Sequence, residues 1–371
     1  MSADWVGLWA TGSYPRYTGD QGSVDPVLMQ RRMAEWTQGE LITRTGGEWR
    51  EDETNWIIMV CDRIHEALGL PLLRRSQRPT YWRYNLQVLL SFFYRGRARR
   101  RLREGRLPEL NYARWAVEDR GIFDRVQAET HDQSRYMRGL PSPRAIKIFS
   151  GLLLGQLGAF EAQMKQQVEQ ITAGDSAAVI QWELSVELSF GAFRLYPAWV
   201  KRRIFRRFLA MIARLVAATP AGTAHAFHLC WGDLNRRPYV PAFLRSDTAK
   251  VELINALLEL GVWDHNGGEQ RLFAIHDPLG DGEHAPRLDP AARSVYNRLH
   301  AFPDHTIYAL GLLHAGLSLD DTVSLARALA DELSDRVERF ALAAPCGDQR
   351  KPAAEVEAQY HKAVAALQQL R

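Results

Sequence analysis

Short apolar runs of strand length alternate with longer stretches of helical period along most of this chain, and that rhythm constrains the fold more than any other feature. It is the pattern of a parallel sheet whose strands are joined by crossover helices. Candidate strands fall at Trp5–Gly12, Leu41–Gly46, Ala145–Phe149, Ala178–Glu183, Thr223–Cys230, Arg271–His276, Thr306–His314 and Glu338–Ala344. Eight is the strand number of a (β/α)8 barrel, so residues 1–371 are expected to form a single α/β TIM-barrel domain. With 46% hydrophobic residues the chain has enough apolar surface for such a core.

Ser246–Leu260 places Val251, Ile254, Leu257 and Leu258 on one helical face, and Leu319–Arg336 has a similar stripe; both read as outer helices. The stretch 51–143 breaks the rhythm. It is rich in Arg, Trp and Tyr, contains R-G-R-A-R-R-R-L-R at 95–103, and reads as an insertion after the second strand. A second basic run, W-V-K-R-R-I-F-R-R, keeps apolar residues at helical spacing and reads as an outer helix with a solvated basic face.

Charge and cysteine usage narrow the function classes. The 47 basic and 43 acidic residues nearly balance, which argues against a general nucleic-acid binder. Three cysteines and no signal-like start point to a reducing cytoplasm, where thiols act as ligands or core fillers. Cys61 lies on an apolar helical pattern and reads as packing. No apolar run is long enough to span a bilayer.

The other two thiols carry chemistry. His228 and Cys230 stand in A-F-H-L-C-W-G-D, Cys346 in A-A-P-C-G-D-Q-R, and each motif directly follows a candidate strand. Barrel enzymes keep their reactive groups at the C-terminal ends of strands. An H-x-C pair closed by a distant cysteine is a common way to hold catalytic zinc.

Six motifs in order resemble the catalytic domain of cobalamin-independent methionine synthases, within the superfamily that also holds uroporphyrinogen decarboxylase. A-T-G-S-Y-P resembles the family's I-G-S-F-P turn, I-T-R-T-G-G-E-W-R its second-strand motif, and V-I-Q-W-E-L-S its I-Q-I-D-E-P. A-F-H-L-C-W-G-D is similar to the H-x-C zinc motif, Y-A-L-G-L-L-H to the segment with the catalytic histidine, and A-A-P-C-G-D-Q-R to the closing P-D-C-G-x-x-x-R. The resemblance covers nearly the whole chain apart from 51–143.

It implies zinc as cofactor, with His228, Cys230 and Cys346 as ligands. The family's fourth ligand is a glutamate on the sixth strand; here R-L-F-A-I-H-D-P ends in His276, which is expected to take that place, with Glu187 or Asp277 as carboxylate alternatives. A second imidazole would make the shell neutral and a bound thiol less nucleophilic, which favours a reactive alkyl donor over a methyl-folate. Glu48 and Glu183 match residues that hold the amino group of homocysteine, Gly12 and Ser13 the turn that binds its carboxylate, and His314 the histidine that transfers a proton. Asp233 could orient a metal histidine.

The implied activity is transfer of a methyl or other alkyl group from a small-molecule donor, folate-type or otherwise, to an amino-thiol. The competing readings are an epoxide-opening thiol alkyltransferase, a metal-free decarboxylase-type lyase, and a barrel that binds without catalysing. Retention of both cysteines argues against the lyase.

Overall fold

The structure, a computed structural model, describes residues 3–10, 26–45, 56–73, 81–106, 121, 124–131, 134–140, 153–155, 157–173, 178–192, 194–217, 219–220, 223–232, 238, 240–246, 248–260, 273–281, 284–346 and 351–371. Eight strands form one sheet: β1 (Asp4–Trp9), β2 (Thr43–Thr45), β3 (Arg135–Leu140), β4 (Val179–Glu183), β5 (Ala224–His228), β6 (Phe273–Asp277), β7 (Thr306–Gly311) and β8 (Arg339–Ala343). Their order is β1-β8-β7-β6-β5-β4-β3-β2, and the paired strands run parallel. β1 also meets the residues just before β2. Leu8 and Leu41 form a parallel bridge, in which the Leu8 N–H donates to Glu40 O and the Ile42 N–H to Leu8 O, both at 2.8 Å.

Parallel neighbours need long crossovers, and helices supply them. In chain order these are α1 (Pro26–Thr37), α2 (Trp56–Leu68), α3 (Tyr81–Phe93), α4 (Arg95–Arg103), α5 (Leu157–Thr172), α6 (Ser185–Ala192), α7 (Ala198–Ala217), α8 (Thr248–Leu258), α9 (Pro290–Tyr296), α10 (Leu319–Glu332) and α11 (Ala353–Leu370). α10 starts where the sequence reading puts it because Ser318 and Asp321 form a reciprocal cap. The Asp321 N–H donates to Ser318 Oγ at 3.0 Å and the Ser318 N–H to Asp321 Oδ2 at 3.3 Å.

The third strand differs from expectation. β3 is Arg135–Leu140, inside the stretch assigned to the insertion, whereas the expected Ala145–Phe149 lies outside the described residues. Two arginines and a glycine in R-Y-M-R-G-L mask the apolar pattern, although Met137 is fully buried. Helices α2, α3 and α4 do occupy the span between β2 and β3. β7 ends at Gly311, so His314 stands in the loop beyond it.

One sheet face carries mainly alanine from β5 to β8 (Ala224, Ala226, Ala274, Ala309, Ala341, Ala343), against which Trp9, Met137, Val179 and Ile307 pack. Small side chains on four strands leave room for the bulk of Trp9 and Met137. The opposite face sets Trp182, Phe227, Tyr308 and Phe340 against the helices. Cys61 is buried in that layer, and burial pushes its thiol up to about 12, which suits packing rather than reaction. Among the described residues no helix is long and apolar enough to cross a membrane.

Candidate metal centre

Parallel register assembles the site. His228, the last residue of β5, pairs with Glu183 of β4 on one side and His276 of β6 on the other, so three polar side chains share one layer at the strands' C-terminal ends. Two residues beyond His228 the chain has left the ladder and carries Cys230; the loop after β8 brings in Cys346. One ring nitrogen of His228 and the two sulfurs lie within 4.8 Å of one another.

The donor set fits zinc. Tetrahedral bonds of about 2.3 Å separate two sulfurs by roughly 3.8 Å, so the group needs to contract by no more than about 1 Å. His228 is buried, and its Nδ1 has no hydrogen-bond partner, an orphaned polar atom that a metal would satisfy. Burial, followed by the neighbouring His276 ring, holds the His228 pKa well below its usual value. The imidazole is therefore neutral at pH 7, the form that binds metal.

His276 does not join this group. Its Nδ1 lies 2.9 Å from Leu229 O and its Nε2 2.8 Å from Ala344 O, while the ring stacks on His228 with centroids 4.5 Å apart. Both nitrogens thus face carbonyls, and the structure does not bring this imidazole to the place where the resemblance implies a fourth ligand. One imidazole and two thiolates around a dication are still formally neutral, so the argument for a weakly nucleophilic bound thiol does not depend on His276. Two acceptors would suit a protonated ring, yet burial outweighs them and lowers the pKa to about 4. A neutral ring then donates its one N–H to one of the two carbonyls. Leu229 precedes Cys230 and Ala344 lies two residues before Cys346, so His276 sits between the segments that present the two thiols and is hydrogen-bonded through its ring to one of them.

Asp277 is not a metal carboxylate either. Its Oδ1 lies 2.8 Å from Lys250 Nζ, and its Oδ2 accepts from Tyr296 (2.8 Å) and Tyr308 (2.5 Å). Lys250 also donates to the Tyr296 hydroxyl at 2.6 Å. This buried quartet anchors β6 to α8, α9 and β7 from the helix side of the sheet. The sequence reading missed it, although Lys250, Leu253, Ile254 and Leu257 share one helical face, which was the available signal. A further anchor adjoins Cys230: the Arg245 guanidinium lies 4.5 Å from the Trp231 ring centroid and donates to Asp281 Oδ2 at 2.9 Å.

Glu183 stands at the site, a quarter exposed, with Oε2 3.7 Å from His228 Nε2, beyond hydrogen-bond range. Gln181 Nε2 donates to its Oε1 at 2.7 Å and fixes its orientation. Glu187 is buried in the first turn of α6. His314 accepts at Nδ1 from the Gly316 N–H (3.0 Å), which leaves its proton on Nε2. Burial, then Lys351, lowers its pKa, so a charged His314 acid is scarce at neutral pH. Gly12, Ser13, Glu48 and Asp233 lie outside the described residues.

No family model matches the chain, and no curated protein sequence does. Among solved structures, a Listeria monocytogenes protein provisionally assigned as a vitamin-B12-independent methionine synthase superimposes with a TM-score of 0.51 at 13% identity, covering 100% of this chain and 98% of that one. A B12-independent methionine synthase from Shewanella sp. W3-18-1, in complex with selenomethionine, gives a TM-score of 0.42 at 11% identity over 69% of this chain and 66% of that one. The first likeness shows a shared α/β fold, and at that identity the fold alone.

Proposed function

We propose that the chain is a zinc-dependent thiol alkyltransferase on a (β/α)8 barrel, similar in chemistry to the cobalamin-independent methionine synthases. The convergence of His228, Cys230 and Cys346 within 4.8 Å carries the proposal. The strand order and the Leu8–Leu41 bridge support a closed barrel, and the L. monocytogenes likeness supports the same fold.

His228, Cys230 and Cys346 would hold the ion. When bound, zinc would supply a lowered pKa to the acceptor thiol. His276 packs between the two cysteine-bearing segments, its single N–H bonded to the Leu229 or the Ala344 carbonyl. Glu183, presented by Gln181 and partly exposed, offers a carboxylate to the acceptor's ammonium. His314 donates a proton to the leaving group only through its neutral Nε2–H or after protonation, so this step favours mildly acidic conditions.

Incubating the zinc-loaded protein with homocysteine and a set of alkyl donors, and following the thioether by mass spectrometry, tests the reading. Turnover that disappears in Cys230→Ser supports it. A protein that holds zinc and alkylates no thiol from any donor class contradicts it.

A further inference from the structure

Helix α7 presents an unusual outer face. Trp199, Arg202, Arg203, Arg206 and Arg207 are all exposed and follow the i, i+3, i+4, i+7, i+8 spacing of a single stripe, opposite the buried Phe205, Phe208, Ile212 and Val216. The helix contains no acidic residue, and among the described residues none of these four arginines has an ion-pair or hydrogen-bond partner. Arg214, at the far end, does reach Glu161, at 3.9 Å. Four adjacent guanidinium groups repel one another, weakly in salt solution, and a polyanion would turn that repulsion into attraction.

Beside the arginines the surface is apolar. Leu195, Trp199 and Phe243 are 69%, 64% and 75% exposed. The Arg194 N–H donates to Leu244 O at 2.9 Å, which fastens the segment leading into α7 to the turn that bears Phe243. These three side chains are half of the exposed large hydrophobic residues described, Leu28, Leu89 and Phe93 being the rest. Scattered single exposures need no explanation, but three in one patch do.

The patch lies at the site's end of the molecule. α7 leads into β5, and its 20 residues span about 30 Å against roughly 17 Å for the five of β5, so the first turns of α7 reach beyond the strand end that carries His228.

We propose that this surface docks the protein on an anionic lipid bilayer, the arginines meeting headgroup phosphates while Leu195, Trp199 and Phe243 enter the interface. Tryptophan and arginine on one amphipathic face suit the headgroup level of a membrane. An aliphatic residue as exposed as Leu195 gains from acyl chains and offers no stacking plane to a base, which favours lipid over single-stranded nucleic acid. Docking would bring the rim of the candidate metal site to the membrane surface.

Co-sedimentation of the full chain with phosphatidylcholine vesicles, with and without phosphatidylserine, tests the proposal. Binding is expected only with phosphatidylserine and should weaken as salt rises. One basic residue near such a surface contributes about fivefold in partitioning, so Arg202→Gln combined with Arg206→Gln should weaken binding about 25-fold. Trp199→Ala should weaken it further, with circular dichroism unchanged in every variant. No binding to the anionic vesicles, binding indifferent to these substitutions, or tighter binding to a short single-stranded RNA than to the vesicles would each overturn the lipid assignment.

Discussion

Replacing His276 with leucine separates a ligand from a residue that packs between the two cysteine-bearing segments. Leucine keeps much of the volume of the ring and removes both nitrogens, leaving a buried carbonyl, Leu229 O or Ala344 O, without its donor. An orphaned buried acceptor costs about 1–3 kcal/mol. Unfolding entropy of about 2.1 cal/mol/K per residue gives roughly 0.8 kcal/mol/K for 371 residues, so the metal-free variant should melt about 1–4 °C lower. Zinc should still bind one per chain, but about 10–100-fold more weakly, the usual effect of losing a group that orients ligands. Competition against a chelator measures this, with Cys346→Ser as the reference for outright loss. If His276→Leu loses zinc as completely as Cys346→Ser, with no change in metal-free melting, His276 is a ligand and the role derived from its carbonyl contacts is wrong.

Three further outcomes follow from the same geometry. Asp277→Asn strands the Lys250 ammonium, whose side chain is 8% exposed, and should cost about 3–5 kcal/mol, seen as a lower Tm in calorimetry; an unchanged Tm would contradict the quartet. The metal-free protein should lose stability as pH falls below about 6.5, because unfolded His228 and His276 take up protons that the folded state, with His276 at about 4, does not; the His276 share is on the order of 3 kcal/mol at the acid end. Melts at about pH 7 and about pH 5 check the sign, and His276→Leu should lose less over that interval. Glu183→Gln should weaken homocysteine binding about 10–100-fold while leaving its amine-free counterpart unaffected, by calorimetric titration; equal losses for both thiols would remove Glu183 from the acceptor site.

The strand rhythm was legible because β4 to β8 are apolar runs of five or six residues, each followed by a loop. β3 was not, since Arg135 and Arg138 disguise a strand whose buried anchor is Met137. The H-x-C pair with Cys346 could be read because the ligand types are few and each stands at or just beyond a strand's C-terminal end. Whether His276 turns to a metal or to carbonyls depends on Leu229 and Ala344, 47 and 68 residues away along the chain, and no local pattern carries that information. Lys250 was hidden for a related reason. A lysine on a helix ordinarily faces water, and only its contact with Asp277 explains its burial.

X-ray absorption at the zinc edge tests the central claim most directly. The account predicts about one zinc per chain with two sulfurs near 2.3 Å and one imidazole nitrogen at about 2.0–2.1 Å, and a third sulfur once homocysteine is added. A zinc shell without sulfur, or a folded chain prepared without chelator that holds no metal, would contradict it.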